Sequence, residues 1–313
     1  MRRLAMSLLA SSVFNLGSDE LASAVEAPPT PVYGVPIAVA APYNWTGFYI
    51  GAHSGGGWGR NDWSEPNTTH ASGFNGFCAF MGVGCIELGS GRAGSHFSTG
   101  PLGGLQAGYN YQIGYVLLGV EGQFSWSNLK GDHENDTSSA GAVSTFITAV
   151  QADRFFSEVK NLGSIAARLG LVSGPQDRTL LYLKGGAAYA GDDYSLLATG
   201  SGFGCVFAPA AACQAFNSSQ TLSGSATRWG YMASIGLEYG LFDNWTAKVE
   251  YDYLGLGTKL ASLAGVECST NNGAAVSTSC VPLTRSFNVG EGIQLVKFGI
   301  NYRFGYPAAV VAK

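Results

Sequence analysis

The chain is poor in charge and has no long apolar run. Only 12% of its 313 residues are Asp, Glu, Lys or Arg, and the formal charge of −4 is too small to argue for a nucleic-acid partner. Beyond the first sixteen residues no stretch approaches the roughly 18 to 20 consecutive apolar residues of a spanning helix, which excludes a helical membrane protein. Histidine is scarce, at four, and none accompanies the six cysteines at metal-ligand spacing. There is no Gly-x-Ser-x-Gly, no His-Glu-x-x-His and no phosphate loop. The residues therefore point to no catalytic, cofactor or metal site, and the chain is read as a non-enzyme. The adjacent Asp132 and His133 read as a solvated turn rather than an acid–base pair.

What is abundant is apolar and small. The chain is 46% hydrophobic, with 45 glycines, 15 tyrosines and a mean hydropathy of +0.12. Such a composition without spanning helices fits the other structure able to cross a bilayer, a closed barrel whose strands are apolar on one face. The N-terminus reads as an export signal over 1–24. Arg2 and Arg3 precede a weakly apolar stretch, and Ala22-Ser23-Ala24 supplies a small-x-small cleavage site. A proline-rich periplasmic linker follows at 25–43, since prolines at 28, 29, 31, 36 and 42 disfavour both helix and central strand.

Alternation of period two then recurs through 44–306, the expected barrel, leaving a tail at 307–313. In 102–113, Leu105, Ala107, Tyr109, Tyr111 and Ile113 oppose Gly104, Gln106, Gly108, Asn110 and Gln112. Comparable segments cover 45–59, 116–129, the stretch ending at 172, 179–191, 228–241, 245–254 and the stretch ending at 304. The connections alternate long and short, with short ones near 114, at 173–178 and at 242–244. The expected fold is therefore all-β, an eight-stranded antiparallel transmembrane β-barrel with long outer loops and short periplasmic turns.

The placement of charge supports this reading. Glu121, Arg168, Lys184, Glu238, Lys248, Glu250, Asp252 and Lys297 all fall on the face opposite the large apolar side chains. A Lys or Arg facing lipid near the midplane costs roughly 2 to 4 kcal/mol, whereas charges inside a narrow barrel can pair. A soluble lipocalin-like barrel would need the reverse, with the apolar face inside. Trp58, Trp126, Trp229 and Trp245 sit at strand ends on the apolar parity, where aromatic girdles belong; Trp45 departs from it and Trp63 reads as loop.

Several stretches together resemble the alphaproteobacterial outer-membrane immunogenic or porin-like β-barrel family, of the 25- and 31-kilodalton surface-antigen type. They are Asn44-Trp45-Thr46-Gly47-Phe48-Tyr49-Ile50-Gly51, Gly119-Val120-Glu121-Gly122, Arg168-Leu169-Gly170, Tyr182-Leu183-Lys184-Gly185-Gly186 and Gly236-Leu237-Glu238-Tyr239. Glu250-Tyr251 and the closing Lys297-Phe298-Gly299-Ile300-Asn301-Tyr302-Arg303-Phe304 complete the set. The resemblance implies an eight-stranded barrel in the outer membrane of a Gram-negative bacterium. It also implies that the aromatic end of the last strand, Tyr302 and Phe304, is the signal read by the barrel assembly machinery, although 305–313 follow it.

The cysteines come in three close pairs, Cys78 with Cys85, Cys205 with Cys213 and Cys268 with Cys280, each within one expected outer loop. In an oxidising compartment the simple reading is one local disulfide per loop, although other connectivities are possible. Two functions from different classes are compatible with all this. One is a structural and surface-interaction barrel, serving membrane integrity and loop-mediated binding. Its partners would be outer-membrane lipid, lipopolysaccharide, and host or small-molecule ligands at the loops. The other is a small passive porin-like channel for solutes. An eight-stranded barrel is just wide enough for its own side chains to fill, which favours the first.

Overall fold

A computed structural model describes residues 42–66, 93–139, 145–206, 212–242, 244–272 and 276–305. The alternating segments form strands that hydrogen-bond in a ring: β1 (Gly47–Ser64), β2 (Ala93–Ile113), β3 (Val116–Ser139), β4 (Thr145–Ser173), β5 (Thr179–Val206), β6 (Ala212–Phe242), β7 (Trp245–Asn271) and β8 (Ser277–Phe304). Each strand pairs antiparallel with its sequence neighbours, and β1 closes on β8 through the register Ile50 with Tyr302 and Ala52 with Ile300. Short connections lie at one end: Gly114 and Tyr115, a 3₁₀ turn at Pro175–Asp177, and the link into Trp245.

At that end an apolar band girds the outside. Phe48, Ile50, Leu105, Val120, Ile165, Leu169, Leu183, Ile235, Val249, Phe298 and Ile300 all face outward and are exposed. Aromatic rings edge the band. Near the turns, Phe48 packs on Tyr109 (5.3 Å between centroids) and Trp245 on Tyr302 (5.1 Å). At the far edge, Phe124 meets Trp126 (5.0 Å) and Tyr189 meets Trp229 (5.3 Å). Val116 to Trp126 is eleven residues of β3, the length of about 9 to 11 that a tilted strand needs to cross a bilayer.

The strands are much longer than that crossing. β5 has 28 residues and β6 has 31, so the barrel continues past the far girdle by more than its spanning length. Much of what reads as outer loop in the sequence is therefore strand. Trp63 and the Asp132-His133 pair, read as loop and turn, lie in β1 and β3.

Bulges explain why the pattern hid this. A register shift between Val159 and Asn161 adds one residue to β4. Below it Leu162, Ala166 and Arg168 point inward; above it Val159, Ser157, Phe155 and Asp153 do, so the inward parity flips. β7 flips the same way between Gly255 and Thr258. There the extra residue, Gly257, has φ +64, a left-handed conformation that favours glycine.

Candidate functional site

The lumen is filled in layers. Its floor is apolar: Leu117, Val172, Leu180 and Tyr182 cluster with Tyr43 and Trp45. Trp45 breaks the outward parity because it precedes β1 and folds beneath the barrel, where it is only 1% exposed. Its indole Nε1–H donates to the Asp177 carbonyl (2.8 Å), and its backbone N–H to Gln112 Oε1 (2.8 Å). The Tyr43 N–H donates to the Gln176 carbonyl at 2.7 Å. Gln176 and Asp177 both have positive φ, 58° and 57°. The segment before β1 thus holds the left-handed turn between β4 and β5 in place.

Above the floor lie the eight charges named from the alternation, all buried. Lys184 Nζ reaches Glu121 Oε1 at 2.6 Å and Glu250 Oε2 at 2.7 Å. Lys248 spans the same two carboxylates at 3.2 and 3.4 Å. Lys297 pairs with Glu250 (3.0 Å) and with Asp252, and Arg168 pairs with Glu238. Tyrosines join the network. Tyr49 donates to Glu121 Oε2 (2.6 Å), Tyr182 donates to Glu250 Oε2 (2.7 Å), and the Arg168 guanidinium lies 3.7 Å over the Tyr182 ring. Gln106, Asn301 and Glu238 continue the chain through bonds of 2.7 and 2.8 Å.

This layer fits because small inward residues leave room. A Cβ at Gly236 would lie 2.3 Å from Tyr182 Cζ, and one at Gly108 would lie 2.4 Å from Tyr49 Oη. Four of these charges are cations and four are carboxylates; a fifth buried cation, Arg303, lies below them with its guanidinium 4.4 Å over the Tyr43 ring. Desolvating each charge costs several kcal/mol, and only dense pairing with hydrogen bonds to the remaining lone pairs offsets that. A void of about 10 Å³ between this layer and the next has room for about one water.

The next layer is apolar: Leu102, Leu129, Val159, Leu162, Met232, Leu254, Ile293 and Leu295 belong to one buried cluster. Beyond it sits a second polar layer that the alternation did not reveal. Arg228 Nε meets Asp192 Oδ2 at 2.7 Å, and its guanidinium also contacts Glu291. Asn61 Nδ2 donates to Ser98 Oγ (2.8 Å), and His96 Nε2 lies 2.6 Å from Ser157 Oγ. His96 is in register with Asn61, three residues past Trp58 and so outside the apolar band, and burial pushes its imidazole down to about 4. An aromatic core closes the outer lumen, with Trp63 stacked on Phe155 at 4.8 Å and Phe287 against both.

The four described cysteines stand beyond these layers. Cys268 and Cys280 are cross-strand partners of β7 and β8 joined by a disulfide. Cys205 and Cys213 are register partners of β5 and β6. Cys78 and Cys85 lie outside the described residues. Tyr302 and Phe304 end β8, their rings 5.2 Å apart in the aromatic edge nearest the turns. Among the described residues, no group of three or more His, Cys, Asp or Glu is placed to hold a metal.

Sequence reasoning missed Glu65, Asp153, Asp192, Arg228, Glu267, Arg285, Glu291 and Arg303 as buried charges. Arg228 and Asp192 share the inward even parity of β5 and β6, and following that parity past the girdle would have found them. Glu291 also keeps the parity of its strand.

The family model described as "Outer membrane protein beta-barrel domain" matches residues 31–304. The chain is 27% identical over 271 residues to the 31 kDa outer-membrane immunogenic protein of Brucella melitensis, covering 84% of this chain and 85% of that one. It is 26% identical over 242 residues to the 25 kDa outer-membrane immunogenic protein of Brucella abortus, covering 77% and 78%. Among solved structures it is similar to OprG from Pseudomonas aeruginosa (12% identity, 85% and 99% covered, TM-score 0.36). It is also similar to Ail of Yersinia pestis (11% identity, 80% and 98% covered, TM-score 0.26).

Proposed function

Starting from the premise that the chain belongs to the outer-membrane β-barrel domain family and resides in the Gram-negative outer membrane, we propose that it is a plugged, non-catalytic barrel that works by surface interaction. The observation that carries this reading is the densely paired layer of buried cations and carboxylates, sandwiched between a largely apolar floor and an apolar layer. A conducting eight-stranded barrel would need a continuous wet path, and stacked layers of buried side chains oppose one. The strands that continue beyond the far girdle form a filled stalk. The stalk supports membrane integrity and carries the disulfide-bearing hairpin ends outward, where host molecules or small ligands can meet them. Lipid and lipopolysaccharide surround its wall, and Tyr302 and Phe304 are read by the barrel assembly machinery.

Single-channel recording of the refolded protein tests the reading. Little or no steady conductance is expected, whereas a large stable conductance would establish the passive solute channel instead.

A further inference from the structure

Just beyond the far girdle the outer wall of the barrel is not flat. A groove of about 870 Å³ crosses β3 to β6 there. Its floor lacks bulk because Gly131, Ser195, Ser223, Gly224 and Ser225 lie along it, and Lys130, Phe156, Glu158 and Asp193 form its walls. The β4 bulge lies beside it, and bulges coil a sheet locally. The groove starts within a few residues of Trp126 and Trp229, since Trp126 is in register with Asn161, and that row continues through Gly191 to Thr227.

Exposed charge gathers at the same height. Among the described strand residues, the exposed Lys and Arg are Arg60, Lys130, Arg154, Lys160 and Lys259, and all of them lie beyond the far girdle. Most carry a carboxylate partner: Arg60 with Asp62 at 2.9 Å, Lys130 with Glu158 at 3.3 Å, Arg154 with Asp132 at 2.7 Å, and Lys160 with Asp193. A surface of matched pairs does not suit a bare phosphate, which seeks an uncompensated cation. It suits a ligand that donates and accepts at once. Carboxylates accept from hydroxyls, lysines donate to them, and serine hydroxyls do both. Phe156, with Arg154 4.6 Å over its ring, adds an apolar surface for C–H groups. This is the chemistry of sugar recognition.

We propose that the groove binds sugar residues of the lipopolysaccharide core in the surrounding leaflet. The proposal rests on the surface-interaction reading above and supplies its wall with a defined ligand. The leaflet's own saccharide is the committed source because it is held at the height of the groove, at an effective concentration that a free glycan does not reach.

The test is a calorimetric titration of the full protein in detergent with core oligosaccharide released from rough lipopolysaccharide by mild acid. The wild type is compared with Ser223→Tyr and Ser225→Tyr, which fill the groove from exposed strand positions that tolerate aromatics. Glu158→Gln and Asp193→Asn each replace one carboxylate acceptor by an amide donor without adding bulk. A retained gel-mobility shift on boiling reports the fold of each variant. The expected result is core binding at least tenfold weaker in the filled variants and severalfold weaker in the amide variants. Vesicles of lipid A without core should bind all five proteins alike. Equal core binding by wild type and filled variants would overturn the groove as the site. Loss of lipid A binding in the variants would replace sugar with phosphate as the ligand. A neutral maltooligosaccharide binding as tightly as core would overturn the committed source. Channel conductance is read separately, so failure here is distinguishable from failure of the plugged-barrel reading.

Discussion

The two halves of the lumen solve the same problem with different completeness. Within the lipid band Arg168, Lys184, Lys248 and Lys297 meet Glu121, Glu238, Glu250 and Asp252, and most of these charges have two partners; Arg303 lies below them over the Tyr43 ring. Beyond the band, among the described residues, the ion pairs are sparser: Arg228 meets Asp192 and Glu291, and Arg285 meets Glu65. The spanning half has hydrocarbon outside and closely packed side chains inside, so an unmatched charge there has nowhere to find water. The outer half stands in a wet surrounding, where a wall one residue thick separates buried acids from solvent. Parity follows the same division. The spanning strands keep strict alternation because a slip would turn charges into lipid. Outside the band, β4 and β7 reverse it at bulges without that cost.

The largest expected effect is at the matched layer. Arg168→Ala strands Glu238 inside the barrel, and removing one partner of a buried pair costs roughly 3 to 5 kcal/mol. The variant should unfold at clearly lower denaturant, read by the gel-mobility transition, and should conduct more than wild type as water enters. Arg228→Ala in the outer layer sharpens the contrast: because the wall there faces water rather than hydrocarbon, its loss should be smaller than that of Arg168→Ala in the same denaturant series. Equal losses would erase the distinction between the halves.

A smaller effect is expected at the hairpin ends. The Cys268–Cys280 bridge has a sequence separation of only 12. Cys268→Ser with Cys280→Ser should therefore speed proteolysis near that end while leaving the barrel's denaturant midpoint almost unchanged, because the cross-link closes a short loop outside the ring. Non-reducing peptide mapping should find this bridge and one joining Cys205 to Cys213; free thiols at these positions in protein from the outer membrane would refute the local pairing.

The smallest is a pH effect. Burial holds His96 neutral down to about 4, against an ordinary histidine near 6.5, so between those values the unfolded chain binds more protons at this site than the folded one. His96 thus contributes stability that is present above about pH 6.5 and lost as pH falls toward 4. Asp192, whose carboxyl is raised by burial, acts in the opposite sense. Comparing wild type with His96→Gln, which keeps a partner for Ser157, cancels that background. The difference in midpoint should change with pH only in this window.

The spanning half was legible from residues alone because the bilayer reads the sequence one strand at a time. A residue facing lipid must be apolar, whatever its neighbours, so Glu121, Arg168 and Lys184 could be assigned to the inside without knowing what they touch. The outer half was less legible, since no lipid enforces alternation there. Trp63 and Phe155 lie on different strands and reveal nothing of their 4.8 Å stacking until the chain has folded.

By itself the sequence therefore determined the class of fold and the strand number, which follow from period-two patterning against a slab of hydrocarbon. Only the tertiary structure decided that the ions pair four against four, that Trp45 seals the floor, and that strands run on past the girdle as a filled stalk with a groove in its wall. These depend on which residues of non-adjacent strands meet across a closed ring. That in turn is set by register and by single-residue bulges such as those at Lys160 and Gly257, whose effect on every residue beyond them is not written in any local pattern.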